Sequence, residues 1–210
     1  MATLTEGTHA GEYIVSEANG GISREAGILA SGNNLSACAV LGQVVTGTAT
    51  ADAGNTGNGT ISAVTIGNSF IEGTYTLTCT AAAADAGTFS VVAPDGTVLP
   101  SLTVAVAYTS EHINLTIADG ATDFIVGDIV TVAVEIGKYA EFNAAGTDGT
   151  QVAVAVLYAP TDASSADANC VVTKRLSEVR DSDLVWKTGT TTDQKTAAKA
   201  QLAKAFIIAR

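Results

Sequence analysis

The sequence predicts a mainly β protein with a single helix near its C-terminus and a separate small β-sandwich in its middle. Three observations carry this. Between residues 60 and 136, apolar side chains recur at every second position, the period of a strand with one buried face. Only residues 192–205 combine a helical start signal with apolar residues at helical spacing. The charge also breaks along the chain: residues 48–136 hold nine acids and no base, whereas residues 138–210 hold nine bases and eight acids. A block with its own charge character is expected to be its own unit with its own solvent face.

Composition narrows the class further. Hydrophobic residues make up 47% of the 210, which argues against disorder, and aromatics only 5%, so Ala, Val, Ile and Leu must build the core. A net charge of −11 would repel phosphates, so no nucleic-acid partner is expected. The mean hydropathy of +0.31 raises the question of a membrane. The longest charge-free stretch, 26–51, is broken by Gly27, Ser31, Gly32, Asn33, Asn34, Ser36 and Gln43, so no membrane span is expected. The N-terminus has neither a basic n-region nor an apolar h-region, so no leader is expected and the sequons at Asn34, Asn58 and Asn114 read as chance. Cys38, Cys79 and Cys170 are far apart and odd in number, which reads as buried thiols in a reducing compartment.

The elements follow in order. Residues 1–21 read as an arm with one β-prone cluster, Tyr13-Ile14-Val15. Such an arm is mobile until it meets a partner, whose sheet edge it could extend; the same pattern fits a frayed terminus. Residues 22–45 alternate short apolar runs with the turn signal Ser31-Gly32-Asn33-Asn34, as short strands do. Residues 47–59 contain no large apolar side chain and read as a linker. Gly54, Gly57 and Gly59 lack the Gly-Lys-Ser/Thr of a phosphate loop. In residues 74–80, Tyr75, Leu77 and Cys79 take the buried face and threonines the wet one. The same reading fits 88–92, 102–108, 113–117 and 129–134, with turns at Pro94-Asp95-Gly96, Asp119-Gly120 and Gly127-Asp128. Residues 139–142 form a short strand, 152–158 a buried strand, 161–169 a polar loop and 170–174 another strand. The helix at 192–205 starts with Thr191 and Gln194 at capping-box spacing and carries Ala198, Leu202 and Ala205 on one face. Ile207-Ile208 ends the chain as a strand.

Several segments together resemble the head decoration proteins of lambda-type tailed bacteriophages. They are Gly20-Gly21-Ile22-Ser23, Cys38-Ala39-Val40-Leu41-Gly42, Lys138-Tyr139-Ala140, Thr147-Asp148-Gly149 with the run to Leu157-Tyr158, the loop 162–167, Leu184-Val185-Trp186, Gln194-Lys195 and the Ile207-Ile208 tail. The resemblance covers about half the chain, 20–46 and 138–210; residues 47–137 interrupt it, where the charge and composition also break. The resemblance implies a β-clip-like decoration domain, 22–47 plus 138–210, preceded by a capsid-binding arm, 1–21. The interruption, 48–137, reads as an inserted immunoglobulin-like β-sandwich. The resemblance further implies homotrimers on the outer surface of the virion shell, at three-fold and quasi-three-fold positions, stabilising it against internal DNA pressure after synthesis in the host cytoplasm. The partner is then the major capsid protein, with Glu12, Tyr13, Ile14, Val15 and Ile22 as arm contacts. Trp186, Leu184 and Tyr158 read as core or trimer anchors. A phage tail or fibre component, or a free carbohydrate- or surface-binding β-module, is the alternative; a weak host-surface contact through the insert is compatible with either.

No catalytic or cofactor chemistry is expected. His9 and His112 fall in the arm and the insert, and neither G-x-S-x-G nor H-E-x-x-H occurs. Asp181-Ser182-Asp183 and the trio Asp119, Asp123, Asp128 lack the spacing of an EF-hand, and they read as solvated turn carboxylates. Arg24, Arg175 and Arg180 read as surface charges.

Overall fold

The structure, a computed structural model, describes residues 6–210. It is mainly β, as the alternation predicts. The chain forms two compact units, one from the chain up to Val44 together with Gly137–Arg210, the other from Val45–Ile136. The first unit opens with β1 (Ile14–Glu17), a single helical turn α1 (Gly20–Ser23), β2 (Arg24–Leu29), β3 (Asn33–Leu35) and the start of β4 (Val40–Ala51). The second holds the rest of β4, β5 (Thr65–Ile66), β6 (Gly73–Ala83), β7 (Ala86–Val92), β8 (Val98–Thr103), β9 (Ile113–Asn114) and most of β10 (Ile129–Glu141). The chain returns to the first unit through β11 (Ala155–Leu157), β12 (Thr161–Ala163), β13 (Ala168–Thr173), β14 (Ser177–Val179), the helix α2 (Thr192–Lys204) and β15 (Ile207–Ala209).

In the first unit, β2, β13, β11, β4 and β10 are successive neighbours, and a parallel contact of Tyr139 with Leu29 joins β10 back to β2. Leu29, Leu41, Tyr139, Ala155, Leu157 and Val172 form one core. Small residues let the strands approach: a Cβ on Gly42 would lie 2.6 Å from the Thr150 carbonyl oxygen. A second sheet has the order β1-β14-β15, antiparallel then parallel. The helix α2 starts on the predicted capping box, with Thr191 accepting the Gln194 amide and Gln194 accepting the Thr191 amide. It buries Ala198 and Leu202 in a core that also contains Tyr13, Val40, Phe142, Val156, Val179 and Ile207.

In the second unit, β10, β6, β7 and β8 pair in that order, all antiparallel. Tyr75, Leu77 and Cys79 are buried on one face of β6, as the threonine alternation predicts. Ile66, Tyr108, Ile113, Leu115 and Ile117 enter the same core from the β5–β9 pair and its flanking bridges.

Several expectations change. Residues 47–59 are not a featureless linker: β4 runs on to Ala51, and the following loop packs tightly. A Cβ on Gly57 would lie 2.3 Å from the Phe124 ring, so the small residues permit a close approach instead of flexibility. Residues 139–142 are not a separate strand, because β10 continues to Glu141. The strand expected over 102–108 breaks after Thr103, where Ala105 takes a φ of +62°.

Candidate functional site

The arm is not a free tail over residues 6–21; residues 1–5 lie outside the described residues. Gly11 begins its fastening. Its φ of +72° suits glycine, its amide donates to the Tyr158 carbonyl at 2.9 Å, and a Cβ there would lie 2.7 Å from the Tyr158 ring. Tyr13 is fully buried. Its hydroxyl donates to the Val156 carbonyl at 3.3 Å and so accepts from Thr173 Oγ1 at 2.5 Å. Burial pushes its phenol far above the ordinary value.

β1 then pairs with β14. The register slips between Ile14 and Ser16, and this bulge leaves Val15 54% exposed while Ile14 packs on the α2 core. Glu17 receives the Arg24 guanidinium at both oxygens and the Ser23 hydroxyl at 2.8 Å. The Arg24 bond, more than any other influence, holds this carboxyl below its ordinary range. Arg24 lies 4.1 Å from the centre of the Tyr158 ring, so one cation clamps both ends of the arm.

The expected contact residues therefore separate. Glu12, Val15 and Ile22 are exposed, Ile14 is half-buried, and Tyr13 lies in the core. Leu184 is buried; Trp186 packs on the same core, edge-on to Phe142 with ring centres 6.0 Å apart. Tyr158 is half-buried under Arg24. Arg175 pairs with Glu25 and Arg180 with Asp183, and both arginines lie at the surface.

The acidic residues regroup. Asp128 is not a solvated turn carboxylate. It is buried and accepts the amides of Thr56, Gly57 and Ile125. Burial works to raise its carboxyl, but the three donors outweigh that and lower it. Asp119 and Asp123 lie instead with Asp85, their ligand oxygens within 4.8 Å of one another, and Asp123 accepts the Asp85 amide at 3.0 Å. His9 lies within 3.4–3.6 Å of Glu6 and Glu12, whereas His112 Nδ1 shares a hydrogen bond of 3.1 Å with the Tyr75 hydroxyl, which also accepts the Ile71 amide.

The family model of bacteriophage lambda head decoration protein D matches residues 3–207. The chain belongs to that family. It is thus a head decoration protein of bacteriophage. No curated protein matches it. Among solved structures, two crystal forms of Xanthomonas campestris FlgL align at 21% identity over 47% of the decoration protein, with a TM-score of 0.34. The alignment spans about a third of those chains, covering 34% and 33% of them, and at that score it carries no inference about fold or function.

Proposed function

We propose that this head decoration protein binds the outer surface of the mature capsid as homotrimers at three-fold and quasi-three-fold positions, and stabilises the shell against internal DNA pressure. The family match over residues 3–207 is the observation that carries this reading. The physics is mass action. A protein that binds the assembled shell but not its separated subunits shifts the equilibrium toward the shell. Weak contacts suffice when a trimer engages a lattice of matching symmetry several times over.

In this reading the arm face meets the capsid. The exposed Glu12, Val15 and Ile22 make contact, and the buried Tyr13 fixes the strand that presents them. Trp186, Leu184 and Tyr158 anchor the core or the contact between copies in the trimer. Residues 48–136 are an inserted immunoglobulin-like module that projects outward, and their uniform acidity keeps particles apart. The test is the molar ratio of this chain to the major capsid protein in purified particles, joined to shell disruption temperature with and without the chain. A molar ratio near one to one and a higher disruption temperature are expected. Trace amounts would assign the chain to a tail or fibre, and absence from the particle would leave a free binding module.

A further inference from the structure

A cleft of about 570 Å³ opens in the second unit, between Leu99 and Pro100 of β8 and the loop 109–112 that precedes β9. The backbone of that loop is pinned. The Ser69 amide donates to the Glu111 carbonyl at 2.8 Å, and the Gly67 amide to the His112 carbonyl at 2.8 Å. Ser110 Oγ accepts the His112 and Ile113 amides at 3.2 and 3.1 Å. His112 Nδ1 lies 3.1 Å from the hydroxyl of Tyr75, which is fully buried. The groups the loop turns outward are unspent: the Glu111 carboxylate and His112 Nε2 have no partner among the described residues. Asp95 brings a second carboxylate to the same imidazole. Thr97 chiefly, and His112 to a smaller degree, hold that carboxyl below its ordinary range. One wall of the cleft is aliphatic and the other carries charge. Nothing in the unit offsets that charge, since residues 48–136 hold nine acids and no Lys or Arg.

The geometry points to a binding site for a free aliphatic polyamine, with one ammonium on the Glu111 carboxylate, the methylene chain along Leu99 and Pro100, and a further ammonium toward Asp95. The lining selects this class. An anion meets like charge, and a sugar finds no Trp, Tyr or Phe on the walls to stack on. An alkyl chain between two cations uses both walls at once: its methylenes leave water against Leu99 and Pro100, and its N–H groups find a carboxylate with no other donor. The cleft has the volume that takes in a small molecule, which favours a free ligand over the lysine of another protein. A loop already fixed by Gly67, Ser69 and Ser110 loses little freedom when the ligand binds. The cleft belongs to residues 45–136 alone, so the inference does not rest on the capsid-binding reading.

The test titrates spermidine into the full chain at about pH 8 and about 0.15 M salt, where an ordinary imidazole is neutral and charges beyond about 8 Å are largely screened. Calorimetry reads stoichiometry and affinity. Imidazole proton NMR localises the ligand, because the chain has only two histidines, His9 and His112. Saturation at one site is expected, with the His112 signals moving and those of His9 staying in place. Glu111→Gln should weaken binding by about tenfold or more at an unchanged melting temperature. Glu135→Gln, which removes the same charge from β10, should bind like the parent. Equal weakening in the two variants would reveal only a general attraction to an acidic surface and overturn the site. A titration that never saturates, or that leaves His112 unmoved, overturns it too. The amide of acetyl-lysine, a stand-in for a protein's lysine, should bind more weakly than spermidine; equal or tighter binding would reassign the cleft to a protein partner and overturn the free-ligand assignment. The shell plays no part in this experiment, so its failure leaves the capsid reading standing.

Discussion

Tyr13 shows how far residue chemistry can be read from sequence. Its place in a short β-prone run is legible, but its destination is not. Burial depends on Val156 and Thr173, 143 and 160 positions away, and no local pattern encodes that pairing. Tyr13→Phe is expected to cost about 1–2 kcal/mol in chemical denaturation, because it removes a buried hydroxyl and leaves the Val156 carbonyl without that donor. Tyr13→Ala is expected to cost about 3–5 kcal/mol through the cavity it opens. The Glu17–Arg24 clamp gives a pH signature. Its carboxyl is lowered on folding, so the stabilisation is fully present above the ordinary value of 4.5 and is lost as pH falls through the lower, folded value. Melting temperatures should therefore fall across that acid range, and Glu17→Gln should make the fall shallower. A variant with the parent's slope would show that other carboxylates dominate acid unfolding.

Elements were legible where their signals are local. The capping box and apolar stripe of α2 lie within one short segment, and the period-two burial of β6 follows from adjacent residues. Thr191→Ala is expected to cost about 1 kcal/mol, seen as an earlier thermal transition. Signals failed where an element owes its form to a distant neighbour. The loop after β4 reads as a linker because its residues are small, yet small residues are what close packing against Phe124 requires. Asp128 reads as a turn carboxylate because Gly127-Asp128 is a turn signal. Its role as acceptor for the amides of Thr56 and Gly57 needs the β4 loop beside it. Asp128→Asn is expected to lower stability by about 2–4 kcal/mol, since an amide replaces one acceptor oxygen with a donor facing amides. A variant as stable as the parent would rule out that role.

At the scale of the molecule, the charge break near residue 137 and the compact unit of Val45–Ile136 fall at nearly the same place, though they are independent observations. If that unit only projects from the shell, a chain with residues 45–136 replaced by a short turn should bind shells with unchanged affinity. Loss of binding by a still-folded product would refute the outward placement. The sheet that presents the arm joins strands from both ends of the chain: Ile14 pairs with Val179, which pairs in turn with Ala209. That has a consequence for biosynthesis. As the chain leaves the ribosome, residues 45–136 can collapse as soon as they emerge, because they form a compact unit from one continuous stretch. The arm must wait until β14, its pairing strand, has been translated. A product terminated before β14 would therefore leave the arm strand without its partner, so the order of translation itself marks incomplete chains by an unpaired arm.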